Sequence, residues 1–158
     1  MLKDDFANEI MAMEQTLYRV SYGLLRSEAD REDAMQECIL SAWEKRDTLR
    51  NEAYFRTWVV RILLNKCHDI QRKNSRFTDW ELVPEQVAPD VQNRELHDAI
   101  LRLDEKHRLP LMLHYIEGFE LKEIAQMLRM PLGTVKSRLH HGRNQLRRYL
   151  GEEVWDYA

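Results

Sequence analysis

Apolar residues recur at every third or fourth position in block after block of this chain. That period forces each block towards a helix with one face turned inward. In the first block the stripe is Phe6, Ile10, Met13, Leu17, Val20 and Leu24, which predicts one long helix. Ser27 and Asp30 then offer side-chain oxygens for an N-cap. The helix they open would bury Ala34, Cys38, Ile39, Ala42 and Trp43. After a polar break over 45–52, a third block turns Phe55, Trp58, Val59, Ile62 and Leu63 inward and ends in Gln71-Arg72-Lys73-Asn74. Facing stripes on three helices can close one small core.

The period fails between Ser75 and Gln92. This stretch carries Pro84 and Pro89, with Asp79, Glu81, Glu85 and Asp90 set against Arg76. It reads as a flexible linker, with Trp80 and Leu82 available to dock on a neighbour. Periodicity resumes with Leu96, Ile100 and Leu103, followed by Asp104 as a cap. The next helix would hold Leu109, Leu113 and Ile116 and stop at Gly118. Pro110 inside it removes a hydrogen bond and predicts a bend. Two more helices are expected, from Leu121 to Leu128 and from Leu132 to about Leu150. No stretch alternates with a period of two, and no internal repeat is visible. The expected fold is all-α: two small helical domains, residues 1–74 and 93–150, joined by a flexible linker over 75–92. A tail, 151–158, follows a second domain that contains a helix-turn-helix.

Charge qualifies the reading of partners. The net charge is −3, which at first argues against binding nucleic acid. Yet from Arg129 to Leu150 the chain holds Arg129, Lys136, Arg138, Arg143, Arg147 and Arg148 and no carboxylate. From Glu28 to Glu37 the balance reverses, with Glu28, Asp30, Glu32, Asp33 and Glu37 against Arg31 alone. Affinity for DNA follows the local basic face rather than the total. One surface for DNA and another for a basic protein partner are therefore expected. No apolar run approaches the roughly 20 residues of a membrane span. Met1-Leu2-Lys3-Asp4-Asp5 lacks the layout of a signal peptide. Cys38 and Cys67 sit in apolar helical patterns without CxxC spacing, so they read as buried thiols of a cytoplasmic protein.

The densest information runs from Leu121 to Leu139. Ile124, Ala125 and Leu128 would face inward, with Ala125 small enough to let a second helix approach. Arg129-Met130-Pro131 makes the turn. On the second helix Val135, Leu139, Gly142 and Leu146 form the packed side. Thr134, Lys136, Ser137, His140, His141, Asn144 and Arg148 lie opposite, a face rich in donors and free of acids, as a helix entering the major groove requires. Arg138 falls at the edge, placed to pair with Glu123 or to touch a phosphate.

Here the residues resemble a family. Gly133-Thr134-Val135-Lys136-Ser137-Arg138-Leu139, preceded by Glu123-Ile124-Ala125, is similar to region 4 of the extracytoplasmic-function sigma factors. Asp33-Ala-Met-Gln36-Glu37-Cys-Ile-Leu-Ser-Ala42-Trp43 resembles the polymerase-binding helix of region 2 in the same family. Phe55-Arg-Thr-Trp58-Val-Val-Arg61-Ile62-Leu-Leu-Asn65, then Asp69, Arg72 and Lys73, resembles its promoter-melting segment. The resemblance spans nearly the whole chain. It implies a non-enzymatic subunit that binds core RNA polymerase and directs promoter recognition, DNA melting and initiation.

By that resemblance Gly133, Thr134, Lys136, Ser137, Arg138, His140, His141 and Arg143 would read the −35 element as duplex. Asn51, Phe55, Arg61, Asn65, Asp69, Arg72 and Lys73 would hold the unpaired −10 element, with the 51–55 loop walling an unstacked base. Asp33, Gln36 and Glu37 would dock on the clamp helices of the polymerase's largest subunit. Trp58 belongs to the inner stripe and is a core residue rather than a stacking platform. An anti-sigma factor is implied as a further partner.

The chain departs from the family at three places. His141 and Gly142 replace a common Arg-Ala, which weakens one phosphate contact, makes binding depend on the protonation of His141 and costs about 1 kcal/mol of helix propensity. Glu120 stands where a serine often caps the first helix of the motif.

A stand-alone helix-turn-helix regulator is the closest rival. An enzyme is the distant one. His68, His97, His107, His114, His140 and His141 form no ligand pattern and read as surface histidines, and no phosphate loop is present. No cofactor and no metal are expected.

Overall fold

A computed structural model describes residues 1–75 and 89–151. The docking expected of Trp80 and Leu82 and the tail beyond Gly151 lie outside the described residues. Helices dominate, and no strand occurs among the described residues. Contacts divide the chain into two compact units, 1–89 and 90–158.

The first unit contains α1 (Lys3–Ala12), α2 (Glu14–Leu24), α3 (Glu28–Glu44) and α4 (Phe55–Asn74). Short 3-10 turns, Arg46–Thr48 and Glu52–Tyr54, bridge the last two helices. The first stripe is buried throughout. It is carried by two helices, however, not by the single long one that its period predicts. At Met13 (φ −99°, ψ 0°) the N–H reaches back three residues to the carbonyl of Ile10, at 3.0 Å. The ladder resumes with the Leu17 N–H on the Met13 carbonyl, at 2.9 Å. A tightened turn of one residue interrupts the hydrogen bonds without carrying the stripe away from the core, so periodicity is blind to it.

Ser27 caps α3, its Oγ accepting from the Asp30 N–H at 3.2 Å. Asp30, the other expected cap, instead accepts from Asn74 Nδ2 at 3.0 Å. Ala34, Cys38 and Ala42 are buried, whereas Ile39 and Trp43 are only half-buried. Between α3 and α2 lies Arg31, fully buried. Its Nη1 donates to the carbonyls of Leu25 (3.0 Å) and Arg26 (3.2 Å), and its guanidinium lies 4.9 Å from the Tyr22 ring centre. A cation here satisfies carbonyls that the end of α2 leaves over.

Both α2 and α3 pack on α4, so its buried face is broad: Phe55, Val59, Val60, Leu63, Leu64 and Cys67. Trp58 and Ile62, expected in the core, are only half-buried because the face turns towards Val60 and Leu64. Phe6 joins the cluster edge-on to Trp43 (5.2 Å) and Phe55 (5.8 Å). Cys38 and Cys67 are free, buried thiols. Burial pushes the Cys38 thiol from 9.0 up to about 12.

The second unit contains α5 (Arg94–Leu101), α6 (Glu105–Leu111), α7 (Leu121–Leu128) and α8 (Leu132–Leu150). Asn93 caps α5 through the Leu96 N–H at 3.1 Å. Asp104 stands at the N-cap of α6 but makes no side-chain cap bond; its carboxylate meets the His107 ring instead. The irregularity predicted at Pro110 takes a definite form. Two residues later α6 opens into a π-turn, Met112–Ile116, where the Glu117 N–H reaches five residues back to Met112 (3.1 Å). The extra residue shifts the register, so Leu111, Met112 and Leu113 are all buried and Ile116, expected inside, is half-buried. Gly118, at φ +79°, then turns the chain towards α7.

The histidines are corrected too: His97 is fully buried and His107 nearly so. Only His140 and His141 are exposed, with His68 and His114 half-buried.

Candidate nucleic-acid interface and partner face

Local chemistry builds the α7–turn–α8 element. Glu120 opens α7 in a capping box, its own N–H donating to Glu123 Oε1 at 3.0 Å. Glutamate thus replaces the usual serine without loss of the cap, and Glu123 is held at the start of its own helix. The inward positions of α7 are Ile124 and Met127; Ala125 and Leu128, expected there, are half-buried. At the other end the Met130 N–H bonds Ala125 O (3.1 Å) and the Arg129 N–H bonds Gln126 O (3.3 Å). This is a Schellman closure. It requires Arg129 in the left-handed region (φ 54°, ψ 49°), a place usually given to glycine. Pro131 follows, and its carbonyl accepts from the Thr134 and Val135 N–H groups, starting α8.

Val135, Leu139, Gly142 and Leu146 form the buried side of α8. Gly142 is there for contact: a Cβ added to it would lie 2.6 Å from Leu111 Cδ1 and 3.6 Å from His107 Cβ. The expected −35 residues all sit on this one helix. Gly133, Lys136, Ser137, His140 and His141 are exposed, and Thr134, Arg138 and Arg143 are half-buried. Arg147 and Arg148 extend the basic surface into the last turn, where the helix dipole favours cations. Arg143 Nη1 donates to the Tyr115 hydroxyl at 3.1 Å. The His141 ring lies 5.6 Å from that of His140 and 6.5 Å from that of His107.

In the first unit, Arg61, Asn65, Asp69, Arg72 and Lys73 follow one another at steps that keep them along one side of α4. Asn65, Asp69, Arg72 and Lys73 are exposed and Arg61 is half-buried. Asp69 and Arg72 pair with each other. Asn51 is exposed and caps the 3-10 turn through the Ala53 N–H at 3.0 Å. Phe55 is placed differently from the other six. It is 2% exposed and edge-on to Phe6, so it presents no face on which a base can stack. Tyr54, its neighbour, is 55% exposed. The signal for it was an aromatic residue one step off the apolar stripe, in the very loop that the sequence singles out.

Asp33, Gln36 and Glu37 are all exposed on α3. Because Arg31 is buried, the exposed ionisable groups of this helix are acids only: Glu28, Glu32, Asp33, Glu37 and Glu44. Leu40, 52% exposed, stands one turn beyond Gln36 and Glu37, an apolar residue beside the expected polar set. Among the described residues, no three His, Cys, Asp or Glu side chains gather as a metal site, and no helix is long and apolar enough to cross a membrane.

Both parts of the chain resemble known proteins. Residues 10–77 match Sigma-70 region 2 and residues 93–146 match Sigma-70 region 4. The ECF RNA polymerase sigma factor SigW of Bacillus subtilis is 32% identical, over 94% of this chain and 90% of its own. SigL of Mycobacterium tuberculosis, another ECF RNA polymerase sigma factor, is 34% identical over 86% of this chain and 83% of its own. Among solved structures, the sigma factor RpoE of Bartonella quintana, in complex with the anti-sigma factor NepR, superposes with a TM-score of 0.79 at 23% identity. That match covers 92% of this chain and 96% of that one. CnrH, in complex with the cytosolic domain of CnrY, gives 0.69 at 21% identity, over 94% and 89% of the two chains.

Proposed function

The chain belongs to the extracytoplasmic-function RNA polymerase sigma factors, a family of non-catalytic initiation factors, and is an alternative sigma factor directing transcription initiation; on that premise we propose how its surfaces divide the work. The acidic face of α3, with Asp33, Gln36 and Glu37, docks on a basic coiled coil of core polymerase, the clamp helices of the largest subunit. Leu40 is the apolar anchor beside those charges. α8 enters the major groove of the −35 element, reading base edges with Lys136, Ser137, Arg138 and His140 and gripping phosphates with Thr134, Arg143 and the backbone at Gly133.

The outer side of α4 and the 51–54 loop take the unpaired −10 strand. Arg61, Arg72 and Lys73 hold phosphates, Asn51 and Asn65 bond base edges, Asp69 steadies Arg72, and Tyr54 supplies the stacking surface. An anti-sigma factor covers some of these surfaces; RpoE, one of the solved neighbours, is in complex with the anti-sigma factor NepR. The work takes place in the cytoplasm, with the polymerase.

One observation carries this reading. Among the residues described, the exposed ionisable groups of α3 are all acids, whereas α8 has none. A stand-alone regulator needs the second surface and has no use for the first, and the matches to both regions favour the sigma factor over it.

Run-off transcription tests it, with purified core polymerase on fragmented genomic DNA and 5′-end mapping. Discrete starts that require this protein are expected. Absence of both core binding and new starts, with no inhibitor present, would remove the proposed assignments.

A further inference from the structure

We propose that Tyr115 is the positioning residue for Arg143, holding its guanidinium ready for a DNA phosphate without cancelling its charge. The inference rests on the reading of α8 as the DNA-facing helix. Tyr115 lies in the π-turn and Arg143 on α8, and the phenol oxygen accepts from Nη1 at 3.1 Å. Both residues are half-buried, so the bond is partly shielded from water. A bond from a charged donor is among the stronger ones.

The kind of acceptor matters. A carboxylate would fix this arginine equally well, but it would neutralise the charge that attracts a phosphate. A phenol fixes it and leaves the charge whole, using one of the guanidinium's five N–H donors. A free arginine must surrender side-chain freedom when it grips a phosphate; one already held has largely done so.

The turn that presents Tyr115 is braced. The His114 ring packs edge-on against the tyrosine (4.8 Å), and its Nδ1–H donates to the Phe119 carbonyl (2.8 Å). Arg143 also carries extra weight in this chain, because the next residue but one towards the N-terminus is His141, where the family commonly has arginine.

The test is a salt titration of promoter binding by holoenzyme reconstituted from the full chain and core polymerase. The probe is a labelled promoter fragment recovered by the run-off mapping. Arg143→Ala is expected to lower the slope of log K against log salt by about 0.9, the signature of one lost phosphate contact. Tyr115→Phe, which keeps the ring packing, should keep the slope and weaken binding about two- to tenfold. The double variant should bind like Arg143→Ala alone.

An equal loss from Tyr115→Phe in the Arg143→Ala background would make Tyr115 merely structural and overturn the proposal. Wild-type binding by Tyr115→Phe, with Arg143→Ala impaired, would overturn it while leaving α8 as the DNA-facing helix. No effect of Arg143→Ala would remove the phosphate contact itself. Arg143→Lys gives a reading that does not touch the π-turn. It should keep the slope and lose affinity twofold or more, and wild-type affinity would show that the charge needs no positioning.

Discussion

At Gly142 two energies oppose each other. A glycine inside a helix costs about 1 kcal/mol relative to alanine. Here, however, an added Cβ would meet the fully buried Leu111 at 2.6 Å. Overpacking of that kind costs about 1–3 kcal/mol. Gly142→Ala is therefore expected to lower stability by up to about 2 kcal/mol, despite its better propensity. In a Leu111→Ala background the same change should stabilise, by about 1 kcal/mol, because the methyl group then has room. Urea melts of the four proteins measure the coupling, and simple additivity would refute it. Cys38 adds a pH dependence. Burial raises its thiol from 9.0 to about 12, so the folded state holds the proton more tightly than the unfolded chain. Its contribution is intact below pH 9 and is lost as the pH climbs from 9 towards 12. Cys38→Ala should flatten the alkaline fall of the urea midpoint, and an identical fall in both proteins would exclude the thiol as its source.

For whole helices, burial decides the charge that is displayed. A count along α3 sets Arg31 against its acids, but the folded helix hides that arginine at the end of α2 and shows the acids. Glu37→Lys should consequently change stability by less than about 0.5 kcal/mol and weaken core polymerase binding at low salt about tenfold or more. Thermal melting and a core-binding titration check the two halves; unchanged core affinity would move the docking face away from α3. Apart from the break at Met13, the existence and order of the helices were legible because stripes, caps and prolines are local signals. What escaped reading was settled by neighbours. The face of α4 widened because two helices pack on it, and Trp58 moved to its edge as a result. Phe55 went inside because Phe6 waits for it there. The sequence puts all eight residues expected to meet duplex DNA on one helix, and the fold keeps them on α8; around the 51–55 loop it was less informative, because one step along the chain separates an exposed ring from a buried one.

The molecule as a whole bears a small negative charge that describes neither of the two proposed surfaces. Both carry mostly one sign of charge, so if they bind as proposed, added salt should weaken core binding and promoter binding alike. Core affinity and promoter affinity, measured between about 50 and 400 mM salt, should each fall. A salt-independent core affinity would mean that the acidic face contributes nothing. The π-turn after Pro110 has a consequence at this scale. It acts as a phase-shifter: one surplus residue resets the angular bookkeeping between everything before it and everything after it. Removing a single residue there would restore an ordinary ladder and swing the downstream chain by about 100°. An insertion or deletion here has to be matched by another to keep Tyr115 opposite Arg143.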